Sequence, residues 1–245
     1  MLVSHSVDKY GIAKVALHDK NNKNMFNKEF IIQLVSNFKE INQNENVKVI
    51  LIHGYDKYFC CGGTQTELLN IYHGKNDFTE AAFYRLLLEC PLPTIAAMQG
   101  HALGGGLAFA CYADIMILAQ EAIYSANFMK YGFTPGMGAT YMIPYKLGIV
   151  GHEMLYTAKN YLGGELKARG ISQTILPGEQ VIQFAYEMAC EIAENPRLAL
   201  CLLKEQLTEI LKNKITIVVK QEIKMHQQCF KQEEVKTRIE TLFGN

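Results

Sequence analysis

Three consecutive glycines, Gly104, Gly105 and Gly106, stand where an apolar, β-rich run beginning at Pro93 gives way to a helical apolar run. Removing every Cβ at a strand-to-helix junction lets the backbone approach another group. It also leaves amide N–H groups at the helix start able to face an anionic or polarised oxygen. Such a junction is the chemistry of an oxyanion hole, and equally the build of a tight turn that packs a helix on a sheet. A second junction, Cys61-Gly62-Gly63-Thr64, lies about 40 residues earlier, as repeated βα units would place it, so two N–H donors can converge on one oxygen. The chain also carries seven histidines and, in its polar segment 73–80, a lysine, residue types able to move a proton or pair with a carboxylate. On residue type alone a loop lysine is more often solvated, and a histidine on an amphipathic helix serves structure as readily as chemistry.

The elements that must position these groups follow from hydrophobic periodicity. Residues 12–18 alternate apolar and polar side chains and precede a polar turn cluster at 19–23, which predicts a β-hairpin or meander. Asn27 precedes a helix-period run of Phe30, Ile31, Leu34, Val35, Phe38 and Ile41, and residues 47–53 read as a buried strand leading into the first glycine junction. Helices are expected over 67–72 and 81–88, the latter stopped at Cys90-Pro-Leu-Pro, with the polar segment 73–80 as a loop. After the glycine triple and its helix come a strand over 114–118, a glycine-proline loop from Tyr131, and a helix from Thr140. Strands alternating with helices predict an α/β fold with a parallel-rich sheet. Beyond residue 165 the pattern is mostly helical, with long runs at 181–194, 198–211 and 215–230. The division is therefore a core over 1–190 and a helical region over 191–245 within one functional unit, packed on the core or on a neighbouring subunit.

Composition narrows the partners. The 245 residues suffice for one substantial core, and 24 Lys plus Arg balance 24 Asp plus Glu, so neither nucleic acid nor an anionic membrane is indicated. The longest apolar runs are strand-length, well short of the roughly 20 residues a membrane helix needs, and no targeting segment is evident, which makes the cytoplasm the expected compartment. Seven irregularly spaced cysteines fit reduced, packed thiols, and no Cys/His spacing suggests zinc.

Three motifs in order, the Phe59-Cys-Cys-Gly-Gly junction, Gln99-Gly-His-Ala-Leu-Gly-Gly-Gly, and Tyr131-Gly-Phe-Thr-Pro-Gly-Met-Gly-Ala-Thr, make the chain resemble the crotonase (enoyl-CoA hydratase/isomerase) superfamily over nearly its whole length. The resemblance implies a crotonase fold, with repeated ββα units forming a spiral core and a C-terminal helical trimerisation region, in trimers sometimes paired into hexamers. It implies that Gly63 and Gly105 donate to a thioester carbonyl and stabilise an enolate. Hydratases of the family carry one glutamate where this chain has Ala108 and another near Phe128. With both absent, the acid–base chemistry of ordinary hydration has no evident groups.

Within the superfamily the chain is similar to decarboxylases of polyketide β-branching cassettes. The features that carry this likeness are Phe128-Met-Lys before the third motif, Gly62-Gly-Thr-Gln, and the terminal Met225-His-Gln-Gln-Cys-Phe with Glu234-Val-Lys. The likeness implies loss of carbon dioxide from 3-methylglutaconyl thioester on an acyl carrier protein, giving 3-methylcrotonyl thioester, with no metal or organic cofactor beyond the phosphopantetheine or CoA that carries the thioester. It assigns the catalytic lysine to Lys75 and the catalytic histidine to His226, with exchangeable roles. Asp77 competes for the Lys75 position, and Tyr72 and His73 are further polar contacts. Tyr112, Phe128, Tyr131 and Phe133 form either an apolar wall or ordinary core, Lys130 faces a phosphate, a carrier acid or solvent, and His5, His18, His53, His101 and His152 are structural. Two alternatives stay open: a hydratase or isomerase with displaced acid–base groups, and a non-catalytic carrier-binding relative.

Overall fold

A computed structural model of the chain describes residues 1–75 and 82–243. The N-terminus forms the expected hairpin, β1 (Val3–Val7) antiparallel to β2 (Ile12–Leu17). In the polar turn after it Lys23 and Asn24 are left-handed, with φ of 51° and 54°. The Asn24 carboxamide secures that turn by donating to the Leu17 and Phe59 carbonyls. Asn27 caps α1 (Lys28–Gln43) by accepting from Phe30 N at 2.9 Å, and Phe30, Leu34, Phe38 and Ile41 are its buried face.

The chain then repeats a strand–strand–helix unit. The first consists of β3 (Val49–His53), β4 (Tyr58–Cys60) and α2 (Gln65–Tyr72). The expected helix over 81–88 is a short 3₁₀ turn, Phe83–Arg85, running into α3 (Leu86–Glu89); Ala81 lies outside the described residues. The second unit is β5 (Thr94–Met98), β6 (His101–Leu103) and α4 (Gly105–Ala110), and the third is β7 (Ile115–Ala119), β8 (Ile123–Ser125) and a 3₁₀ turn at Asn127–Tyr131. There follow α5 (Ala139–Leu147), α6 (Ile149–Thr157), β9 (Tyr161–Leu162), α7 (Gly163–Ala168), β10 (Thr174–Leu176), α8 (Gly178–Ala193), α9 (Arg197–Cys229) and α10 (Glu233–Leu242).

First strands of each unit pair parallel in a six-stranded sheet ordered β1-β2-β3-β5-β7-β10, and second strands form a four-stranded sheet ordered β4-β6-β8-β9. This corrects the reading of one strand running from Pro93 into the glycines. The chain turns after Met98 and changes sheets, so the strand entering the triple is the three-residue β6. Every side chain of β5 is buried, as expected of a central strand covered on both faces, and α8 packs across β3, β5 and β7. Because β4 and β6 pair parallel, Tyr58 with His101 and, after a register shift, Cys60 with Ala102, the glycines that follow each strand emerge side by side.

The C-terminal third also needs correction. The two helices expected at 198–211 and 215–230 are one helix of 33 residues, because Lys212, Asn213 and Lys214 carry no glycine or proline and form a solvated face instead of a break. Ile215, Val219, Phe230, Val235 and Ile239 join the same core as the sheets, so the residues after 191 extend one core.

Candidate active site

The two glycine junctions meet. Gly62 is left-handed at φ 78°, and a Cβ there would stand 2.8 Å from the Leu103 carbonyl oxygen and 3.0 Å from Gly105 N. A Cβ on Gly106 would collide with the Cys60 carbonyl. Only bare backbone passes at this spacing, which settles the glycines' role in packing and brings the two junctions within reach of one ligand. Gly105 opens α4, whose first intrahelical bond is Ala108 N to Gly104 O at 3.1 Å, so the Gly105 N–H has no intrahelical acceptor. Gly63 precedes Thr64, which caps α2 by accepting from Glu67 N. Neither the Gly63 nor the Gly105 amide donates a hydrogen bond among the described residues. Cys61 beside them is no nucleophile at neutral pH, since burial pushes its thiol up to about 11.

Around the junctions the walls are apolar. A Cβ on Gly105 would lie 3.2 Å from the Met137 sulfur and 3.5 Å from the Phe26 ring, and Phe26 packs edge-on against Phe83 at 4.7 Å between centroids. Ala108 is fully buried and Phe128 nearly so, which leaves no carboxylate at either position. Of the other expected wall residues, Tyr112 gives its hydroxyl to the Met137 carbonyl at 2.7 Å, and Tyr131 and Phe133 stack at 6.2 Å.

His226 reaches the third motif from α9. It is 7% exposed and lies between Phe133 and Phe230, and Gly136 must be glycine because any Cβ there would collide with its ring. Nε2 is 2.6 Å from the Thr134 carbonyl. A carbonyl only accepts, which assigns the proton to Nε2 and the basic lone pair of the neutral ring to Nδ1. Burial holds the imidazole below its usual pKa, against the Thr134 and Pro135 carbonyls that favour the charged form.

Sequence reasoning passed over Glu222, one turn before His226 and 2% exposed. Its carboxylate accepts from Gly138 N at 2.6 Å, Thr140 N at 2.9 Å and Thr140 Oγ1 at 2.6 Å, at the start of α5. Burial raises this carboxyl while the three donors pull it down. A signal existed: Ile215, Val218, Val219, Glu222 and His226 recur at helical spacing, so both polar groups sit on the buried stripe of α9.

The loop candidates are placed differently. Lys75 is exposed and donates its backbone N–H to Asn70 O at 2.9 Å; no contact among the described residues joins its side chain to His226. Tyr72 is half-buried against the core, its ring edge-on to His73 at 5.3 Å. Asp77 lies outside the described residues. The Lys130 ammonium lies 5.8 Å from the Tyr131 ring centroid. His101 and His53 are structural as expected: His101 Nδ1 accepts from Ile123 N at 2.9 Å, and His53 Nδ1 bonds the Gly54 carbonyl. A cleft of about 1060 Å³, lined by Asp8, Tyr10, Lys48 and Tyr186 among others, shares no residue with the junctions, the 134–140 turn or α9.

Facing glycine junctions on ββα units, each with an unengaged amide, have the build of an oxyanion hole, able to hold a polarised carbonyl oxygen. The family model for enoyl-CoA hydratase/isomerase matches residues 8–243, and the chain belongs to that family. It is 46% identical over 235 residues, 96% of this chain and 94% of the relative, to the bacillaene synthase decarboxylase PksI of Bacillus subtilis (strain 168). Among solved structures it is similar, at TM-score 0.98 and 44% identity with both chains fully covered, to one from a dehydratase/decarboxylase enzyme couple involved in polyketide beta-branching. It is also similar to the ECH2 decarboxylase domain of CurF from Lyngbya majuscula, at TM-score 0.94 and 35% identity over 99% of each chain.

Proposed function

We propose that this protein is a decarboxylase of polyketide β-branching, converting 3-methylglutaconyl thioester on an acyl carrier protein to 3-methylcrotonyl thioester. The observation that carries the reading is the pairing of two unengaged junction amides with Ala108 and Phe128 where hydratases hold their acids. Decarboxylation needs an electron sink and one proton, and no activated water. As the C–C bond to the distal carboxylate breaks, its electron pair moves through the C=C bond onto the thioester oxygen, and carbon dioxide leaves. The Gly63 and Gly105 amides stabilise the resulting dienolate, more strongly for the dry walls of Phe26, Phe83 and Met137. One proton added at the γ-carbon completes the product. The Lys75 ammonium orients the departing carboxylate, Tyr72 adds a polar contact near it, and His226 supplies the proton; the lysine and histidine roles can exchange. This chemistry calls for no metal or organic cofactor beyond the carrier of the thioester.

The same reading gives the protein an acyl carrier protein as partner and a homotrimer or hexamer as its assembly, in the cytoplasm. Leu203, Leu207, Ile210 and Ile217 expose an apolar stripe on α9 at roughly heptad spacing, and a neighbouring copy is a fitting cover. Among the described residues no helix is long and apolar enough to cross a membrane. Mass spectrometry of a 3-methylglutaconyl carrier protein after incubation tests the reaction. Loss of carbon dioxide by wild type, cut about a hundredfold or more in Lys75→Ala and in His226→Ala, is expected. No loss with wild type overturns the function, and full activity in both variants overturns the residue roles.

A further inference from the structure

Two buried side chains one turn apart on α9 grip opposite ends of the same turn. His226 takes the Thr134 carbonyl at its start, and Glu222 takes Gly138 N, Thr140 N and Thr140 Oγ1 at its end. Between these grips lie Pro135, Gly136, against which the imidazole rests, and Met137, left-handed at φ 61°. Tyr112 holds the Met137 carbonyl, and the Met137 sulfur faces Gly105. The turn is thus the mechanical link between the proton-bearing ring and the amide that stabilises the dienolate. Two of the three partners of Glu222, the Gly138 and Thr140 amides, can only donate, and the Thr140 hydroxyl donates as well, so a carboxylate with both oxygens free to accept satisfies all three at once. Its charge also stands at the start of α5, where the helix dipole favours an anion.

We propose that Glu222 is a positioning residue, which fixes the 134–140 turn against α9 and thereby sets both the orientation of the His226 ring and the seat of Met137 beside Gly105. It touches no reacting atom; it acts through the turn. The inference rests on the decarboxylase reading with His226 in the site, but its geometric content does not depend on turnover. A glutamine cannot reproduce the grip. Its single carbonyl oxygen can serve only some of the three donors, and its NH₂ meets donors where the second carboxylate oxygen stood, so the turn has to shift.

The test compares Glu222→Gln with Thr140→Val, which deletes one donor, and with Lys204→Met, which removes another buried charge of α9 with three hydrogen bonds made elsewhere. For each, kcat and KM on the carrier-bound thioester, the melting temperature and the ¹⁵N shifts of the His226 ring are measured. A misplaced reacting group costs up to about a hundredfold, so Glu222→Gln should lose about tenfold to a hundredfold in kcat with KM within about threefold. Its His226 shifts should move, and its melting temperature should change less than that of Lys204→Met. Thr140→Val should move kcat and shifts in the same direction and less far, which keeps the test decisive should Glu222→Gln fold poorly. A kcat within about twofold of wild type together with unmoved His226 shifts overturns the proposal. If wild type releases no carbon dioxide, the function is what fails, and the ring shifts alone decide the role of Glu222: moved shifts support it and unmoved shifts overturn it.

Discussion

Helix α9 buries charge at two places, Lys204 and Glu222, about 27 Å apart along its axis, and the two do different work. Near its start, Lys204 is 4% exposed and donates to Leu87 O at 2.6 Å, Leu92 O at 2.9 Å and Asp114 Oδ2 at 2.8 Å. Asp114 in turn accepts from Thr94 N and Thr94 Oγ1, so this network closes on the residues where β5 and β7 begin. Near the other end Glu222 and His226 hold the turn beside the glycine junctions. Every donor of the Lys204 ammonium meets an acceptor, and none of its partners belongs to the site. Glu222 and His226 grip a turn with left-handed residues at Met137 and Gly138, both paired to its backbone. The difference teaches that one helix ties the scaffold of the sheet to the glycine junctions, with the sheet gripped at one end and, on the proposed reading, the chemistry served at the other.

The sharpest way to break that division is to exchange the effects. His226→Gln should lower kcat by about a hundredfold to ten-thousandfold, the usual worth of a positioned proton donor, while the melting temperature falls by only a few degrees. A large loss of folding with kcat intact would place His226 with the scaffold. Lys204→Met should do the reverse. The substitution leaves the Leu87 and Leu92 carbonyls without their ammonium donor, while Asp114 is exposed and can turn to water. Unsatisfied buried groups cost about 1–3 kcal/mol each, and in a chain of this size each kcal/mol shifts the midpoint by roughly 2–4 °C, so calorimetry should show a fall of about 10 °C with kcat of the folded protein within about twofold. An unchanged midpoint would show that the Lys204 network contributes specificity without stability.

Much of this arrangement was legible in the residues, and what was not has physical reasons. The Asn27 cap, the buried run at 49–53 and the three glycine-bearing motifs were readable because caps and glycines act locally. The second strand of each unit was not: β4, β6 and β8 have three residues each, too few to show a period, and their pairing is tertiary. Lys212 to Lys214 resembled a break because three polar residues in a row weaken an apolar stripe, yet a helix pinned at both ends carries them on its wet face. Glu222 was passed over because glutamates in long helices are ordinarily solvated, and only its place on the stripe through Ile215 and Val219 marks it as buried. Lys75 was picked out by the likeness to the decarboxylases, and the likeness still carries its assignment, since residues 76–81 after it lie outside the described structure.

Titration sharpens the comparison at the site end. Burial lowers the His226 pKa, so if the imidazolium delivers the proton, kcat/KM should fall as pH rises through a value below the ordinary 6.5. A bound substrate carboxylate favours the charged ring and should move the limb of the kcat profile upward. The stability sign follows from linkage. A histidine whose folded pKa is depressed leaves the unfolded chain binding the proton first, so stability is lost as pH falls below about 6.5. His226→Gln should abolish the kinetic limb and weaken the stability dependence, of which His53 and His101, also lowered by burial, keep their share. A kcat/KM limb above about 6.5 in wild type would show that another group supplies the proton.

The smallest effect probes how tightly the turn is held. Tyr112 is buried, and its hydroxyl donates to the Met137 carbonyl at 2.7 Å, while Glu222 holds the next residue, Gly138. Tyr112→Phe keeps the ring against Tyr84, 5.9 Å away, and removes only that donor, leaving a buried carbonyl unsatisfied. The stability cost should be about 1 kcal/mol, comparable to any single buried hydrogen bond. If the turn behaved as part of the scaffold, the effect would end there, and kcat would stay level with wild type. Because Met137 is the residue seated against Gly105, a slackened carbonyl should also let the sulfur shift over the junction amide. A fall in kcat of about threefold, with KM unchanged, is then expected. Combined with Glu222→Gln, the two losses should fail to add, since both release the same turn, whereas Tyr112→Phe and Lys204→Met should add within about 0.5 kcal/mol in stability, as distant sites do.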